Sequence, residues 1–267
     1  MELWSVGVVD APIQSFLDEG QPEVRFIEHP NRLSLADPFG VEREGGVTFL
    51  CEELDADVRP HIGRVVAIDF EDEGSFSITP AIERDYSVTY PYLMHHEGDV
   101  YMVPETYQAG EVKLFKATSF PTAWEEVEVM LPIAGVDCTI FHHDGRWWML
   151  GADYAEGSND KLFAWYSDNR FGPWTPHPGN PVKLSSASSR PAGTPFVHDG
   201  GLYRPSQDCS ITYGGRVVIS RIVELTPMAF KEEPVTTVEP IPGSPISGGV
   251  HTISACGGRT LIDGKSG

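Results

Sequence analysis

Apolar and polar residues alternate along this chain in short runs that recur as hairpins. Thr139-Ile140-Phe141 is β-branched and aromatic, His143-Asp144-Gly145-Arg146 carries the Asp-Gly turn signal, and Trp147-Trp148-Met149-Leu150 runs back. The same pattern returns from Tyr90 to Glu105, where His95-His96-Glu97-Gly98 forms the turn, and again from Asp37 to Glu52 and from Thr194 to Asp208. A degenerate fifth copy runs from His251 to Asp263. Five hairpin units at spacings of about 50 residues predict an all-β fold, a five-bladed β-propeller. A β-sandwich with similar hairpins is the alternative, but the turn and an acidic end-position recur together, which a sandwich does not require.

The remaining runs fill out the blades. Arg25-Phe26-Ile27 is expected to lead into blade one, with Arg64 to Phe70 and Ser75 to Ile78 as its outer strands. Lys113 to Ala117 and Glu125 to Met130 extend blade two, and Lys161 to Ser167 with an edge near Trp174 extends blade three. Arg216 to Ile222 and Val235 to Val238 extend blade four. The fifth unit has one clear hairpin, so the last blade should be closed by the N-terminal strand Leu3 to Val9, which removes open sheet edges. No helix longer than about two turns is expected.

Composition narrows the picture. The 267 residues fit one propeller domain over 1–267, and the 27 Gly and 22 Pro suit short strands and many turns. No apolar run approaches the ~18 residues of a membrane span. The N-terminus lacks the basic region and long apolar core of a signal peptide, which predicts a cytoplasmic protein. The four cysteines, Cys51, Cys138, Cys209 and Cys256, form no CxxC pair and read as buried free thiols. A net charge of −20 argues against nucleic acid and anionic membranes as partners and is compatible with a neutral or cationic small molecule. The sequence does not set the oligomeric state.

The repeat also locates the chemistry. Asp37, Tyr90 and Asp137 are equivalent on successive inner strands, while Glu52, Glu105, Ala152 and Gln207 are equivalent at the end of the second strand. A hairpin folds both sets onto one end of the blade. Carboxylates converging at one mouth of the axis are costly unless they titrate, bind a cation or do chemistry. Taken singly, Asp37 reads as a turn residue before proline, Asp137 as a hydrogen-bonded strand-start aspartate and Glu105 as half of a surface salt bridge. Their shared phase favours a site, where burial should raise the pKa of Glu105. Asp208 has Arg204 close in sequence, and such a partner would make it a poor proton donor. His95-His96 and His142-His143 read as turn residues. Trp147, Trp148, Trp165 and Trp174 read as interblade core, with one as a possible sugar platform.

Ala36-Asp37-Pro38-Phe39, the Tyr-Pro-Tyr…Pro-Glu unit, Val136-Asp137-Cys138-Thr139 and Arg204-Pro205-Ser206-Gln207-Asp208…Tyr213-Gly214 resemble the glycoside-hydrolase-43-like five-bladed propellers. Within them the pattern is similar to the branch holding the N-terminal domain of plant glucosamine inositolphosphorylceramide transferases and bacterial relatives. The resemblance runs from about Trp4 to Gly264. It implies a carbohydrate or glycoconjugate as ligand, and an exo-acting glycosidase that cleaves its bond by acid/base catalysis in an axial pocket. Asp37 would be the base, Asp137 the residue that tunes the acid's pKa, and Glu105 the acid. The wider clan's glutamate follows the second aspartate, whereas Glu105 precedes it, with Asp208 and Glu224 as substitutes. Tyr90, Arg190, Arg204, Gln207, Asp208 and His251 would line the substrate site. No cofactor is implied, although a histidine such as His251 helps to hold an axial calcium-centred water cluster in some members. The competing readings are a non-catalytic carbohydrate-binding or scaffolding propeller and a protein-interaction propeller, the latter marked by a broad apolar patch.

Overall fold

A computed structural model describes residues 3–18, 22–55, 57 and 61–267 of the chain. The described residues form five antiparallel sheets in a ring, with two short 3-10 helices and no α-helix among them. Each sheet follows the repeat. Blade one runs outward through Ser34–Arg43, Gly46–Leu54, Arg64–Glu71 and Phe76–Ile82. Blade two does so through Thr89–His96, Asp99–Glu105, Val112–Ser119 and Ala123–Leu131. Blades three and four begin at Gly135–His143 and at the short strand Phe196–His198. Blade five starts with Gly249–Cys256 and Arg259–Lys265.

The N-terminal strand closes the ring. Trp4–Val9 pairs antiparallel with Arg259–Lys265, in a register running from Trp4 opposite Lys265 to Val9 opposite Thr260. Its other edge pairs with Val24–Ile27. Arg25-Phe26-Ile27 is therefore the outer strand of the closing blade and not the lead-in to blade one. Alternation alone could not distinguish these, because the segment sits between both blades in sequence.

The core lies in the seams between blades. One apolar cluster fills each of the five seams, for example Val6, Leu35, Phe49 and Leu261 between blades five and one, and Tyr92, Met94, Ile140 and Met149 between blades two and three. The inner strands are thereby buried, while outer strands such as Phe76–Ile82 and Ala123–Leu131 stay largely exposed. Cys51, Cys138 and Cys256 are buried in strands, and Cys209 is partly exposed. Among the described residues no helix is long and apolar enough to cross a membrane.

Candidate active site at one mouth of the axis

The inner strands share a defect at one height. Pairing with the second strand slips between Ala36 and Phe39, Thr89 and Tyr92, Val136 and Thr139, and Val250 and Ile253. In three of these bulges the residue after the slip begins is left-handed: Asp37 at φ 54°, Tyr90 at 44° and Asp137 at 49°. Such a conformation costs a side-chain-bearing residue on the order of 1–3 kcal/mol, and a bulge is a common means of re-aiming a side chain. Pro38 and Pro91 follow two of the three, and a residue without an N–H is no loss where the ladder is already broken.

The result is a cavity of about 230 Å³ lined by Asp37, Glu52, Glu105, Asp137, Arg190 and Tyr213, with Tyr107 and Ser87 at its edge. Glu52 and Glu105 arrive from the second strands, where they pair with Ala36 and Thr89, the residues just before the bulges. A larger hollow of about 660 Å³, lined by Val41, Glu42, His95 and others, lies along the opposite ends of the inner strands, and among the described residues no buried carboxyl lines it. The chemistry gathers in the smaller one.

Two carboxyl pairs share this cavity. Burial, then the nearby Asp37 charge, raises the Glu52 pKa to about 8. Burial also raises Asp37 to about 7, with His251 pulling it down and Asp263 and Asp137 pushing it up. Glu105 is held well above the usual carboxylate range by burial and then by Asp137, against the pull of Arg190. Asp137 itself is gripped from two sides: its Oδ2 accepts from Arg190 Nε at 2.7 Å and from Gln207 Nε2 at 3.1 Å, and its backbone N–H donates to Glu105 Oε2 at 3.3 Å. Arg190 also lies over the Tyr213 ring, 5.1 Å from its centroid.

Behind Asp37 stands a fully buried aspartate, Asp263. Its Oδ2 accepts from the Asp37 backbone N–H at 2.6 Å, while Oδ1 accepts from Thr252 N at 2.8 Å and faces His251 Nδ1 at 2.7 Å. His251 Nε2 lies 3.6 Å from Asp37 Oδ1, which also accepts from Thr252 Oγ1 at 2.6 Å. Burial disfavours the imidazolium, but Asp263 and Asp37 outweigh it and raise the His251 pKa to about 9. Asp37, His251 and Asp263 bring ligand atoms within 4.8 Å of one another, the arrangement of a cation site. The donor chemistry does not fit one. Both Asp263 oxygens already accept N–H groups, and both ring nitrogens face carboxylates, so the protonated ring is the cation held here.

Of the residues expected at the site, Asp37, Glu105, Asp137 and Arg190 line the cavity. Gln207 braces Asp137 from within the wall, His251 backs Asp37, and the buried Tyr90 hydroxyl accepts from Gly193 N at 2.9 Å. Arg204 and Asp208 are corrections. Arg204 is 1% exposed and bonded to Glu232 and to the carbonyls of Ser188 and Ser189, so it forms a structural ion pair and does not line the cavity. Asp208 turns to Ser210 and Arg216; these hydrogen bonds overcome its burial and lower its pKa. Its arginine is Arg216, not Arg204. Among the described residues no tryptophan lines the cavity, and Tyr107 and Tyr213 do. Glu52 and Asp263 are additions. The equivalence of Glu52 with Glu105 was a readable signal, whereas Asp263 has none in sequence.

Comparison with known proteins agrees with this architecture. Residues 35–241 match the family model described as glucosamine inositolphosphorylceramide transferase 1, N-terminal. The chain is 33% identical to glucosamine inositolphosphorylceramide transferase 1 of Arabidopsis thaliana over 205 residues, 74% of this chain and 26% of the relative. It is 36% identical to the protein of that name from Oryza sativa subsp. japonica over 160 residues, 58% of this chain and 22% of the relative. The chain thus spans about a quarter of the length of these relatives. Among solved structures it resembles a family 117 glycoside hydrolase of Zobellia galactanivorans, with a TM-score of 0.62 at 16% identity over 84% of this chain and 75% of that one. It also resembles the catalytic domain of a family 62 α-L-arabinofuranosidase of Coprinopsis cinerea, with a TM-score of 0.54 at 14% identity over 85% and 78%. At these identities the structural likeness speaks to the fold.

Proposed function

The chain belongs to the family of the glucosamine inositolphosphorylceramide transferase 1 N-terminal region, and on that footing we propose that its axial cavity binds one sugar ring and hydrolyses the glycosidic bond that ring carries. The observation that carries this reading is the set of buried carboxyls with raised pKa values in one small cavity, beside an arginine-held aspartate. Glu105, kept protonated by burial and by Asp137, donates its proton to the glycosidic oxygen as the C1–O bond breaks. Asp37, raised to about 7, takes a proton from the water that adds to C1, and a base near the working pH is the effective choice. Glu52, raised to about 8, is protonated at neutral pH and donates a hydrogen bond to a sugar hydroxyl. Arg190 fixes the position of Asp137 and restrains the pKa of Glu105.

The reading is tested with aryl glycosides, natural oligosaccharides and glycolipids, including neutral sugars and amino sugars. Turnover that disappears in Asp37→Asn supports it; no turnover on any substrate contradicts it. A second reading, non-catalytic sugar binding, is favoured by one finding: the relatives are named transferases, and the chain spans only about a quarter of each. Sugar binding without turnover, retained in Glu105→Gln, would select it.

A further inference from the structure

We propose that the Tyr107–Tyr154 stack is a second sugar subsite, which receives the ring on the leaving-group side of the bond held in the axial cavity. This rests on the reading of that cavity as a sugar site and adds where the rest of the ligand goes. The two rings come from blades two and three, stack with centroids 4.5 Å apart at 29°, and stand beside the mouth, since Tyr107 lines the cavity. Tyr154 is 58% exposed.

An aromatic pair at this place would ordinarily be read as the outer cover of a core. Neither ring belongs to any of the five seam clusters, so covering a core is not what holds them. Hydrogen bonds hold the Tyr107 ring and the Tyr154 backbone, and the two rings pack on each other. Tyr107 begins a 3-10 turn that ends at the left-handed Gly110, and its hydroxyl accepts from Gln108 Nε2 at 3.3 Å. The Gln108 Oε1 in turn accepts from the backbone N–H of Ser87, itself a cavity residue, at 2.8 Å. The Tyr154 backbone N–H donates to Ala134 O at 2.9 Å. The Tyr107 ring and the Tyr154 backbone are held in the unliganded chain, which lowers the ordering cost of binding.

Size and chemistry give the occupant. A cavity of about 230 Å³ is smaller than the ~300–1,000 Å³ of pockets that enclose a drug-sized ligand, so it takes one ring and leaves the attached group to leave over the rim. Tyr213 is less open to that group than Tyr154, being 39% exposed, with Arg190 over its ring and edge-to-face contacts to Trp4 and His251. The outward face of Tyr154 is open to it. A flat aromatic face in water suits the C–H face of a neutral sugar ring.

Saturation-transfer NMR and calorimetry with the methyl glycosides of glucose, glucosamine, galactose and xylose, and with their 1,4-linked disaccharides, test this on the intact chain. The expected result is a disaccharide bound about 3- to 10-fold more tightly than its monosaccharide, with transfer from tyrosine protons to its second ring. Tyr154→Ala should remove that gain and leave monosaccharide binding unchanged, and Tyr154→Phe should retain it. A disaccharide gain unaffected by Tyr154→Ala, an equal loss for both ligand sizes, or no disaccharide gain at all would overturn the second subsite alone. Failure of the wild-type protein to bind any of these sugars would remove the cavity reading together with it.

Discussion

Asp263 Oδ2 accepts the backbone N–H of Asp37 at 2.6 Å, joining the last blade to the first at the left-handed residue that faces the cavity. The same carboxylate orients His251 and caps the Thr252 amide, so one buried group fixes the backbone, the neighbouring cation and the hydroxyl that bonds Asp37. Asp263→Asn substitutes a neutral amide for the charge and puts a donor where only acceptors are needed. Turnover is predicted to fall about 100-fold, the scale of a sub-ångström to 1 Å misplacement of a reacting group. The His251 titration, followed by NMR, should move below about 9. A fall in turnover with an unmoved His251 titration would contradict a positioning role.

The pH dependence of stability has a definite sign. Asp37, Glu52 and His251 all have raised pKa values in the folded chain, to about 7, 8 and 9. The folded state therefore binds more protons than the unfolded one between the ordinary carboxylate range and pH 9, and stability falls as pH rises through that window. The contribution of each group is complete below its unfolded pKa and is lost by its folded pKa. Melting temperatures measured from pH 5 to 9 should decline, and Glu52→Gln should flatten the decline most between pH 5 and 8. A melting temperature that rises over that range would contradict the assignment.

Arg204 and Glu232 are each 1% exposed, and Arg204→Ala leaves this buried carboxylate with Lys183 as its remaining cation. Arg204→Ala should lower stability by about 3–5 kcal/mol in denaturant unfolding. Sugar affinity per folded molecule should be unchanged. A selective loss of sugar binding at unchanged stability would return Arg204 to the site.

Much of this was legible in the chain because the blade is a repeat. His95-His96-Glu97-Gly98 and His143-Asp144-Gly145 gave the turns, and the phase they fix put Asp37, Glu105 and Asp137 at one mouth. Glu52 shares the phase of Glu105, and the repeat places it at the same mouth. What the phase cannot supply is pairing across blades. Nor does it supply every pairing within one: Arg204 sits close to Asp208 in sequence, yet its side chain pairs with Glu232 on the outermost strand of the same blade. Asp263 lies in the last blade and meets Asp37 only because the ring closes. Arg25-Phe26-Ile27 illustrates the same point, since only the closure shows to which blade it belongs.

The central claim is that Glu105 is a proton donor, and leaving-group dependence tests it most directly. Rates are measured for wild type and Glu105→Gln on an activated nitrophenyl glycoside and on an unactivated oligosaccharide of the same sugar. The account predicts that the variant loses turnover of the oligosaccharide, whose leaving oxygen needs a proton, and keeps turnover of the aryl glycoside, whose leaving group does not. Equal loss on both substrates, or full retention on both, would contradict it.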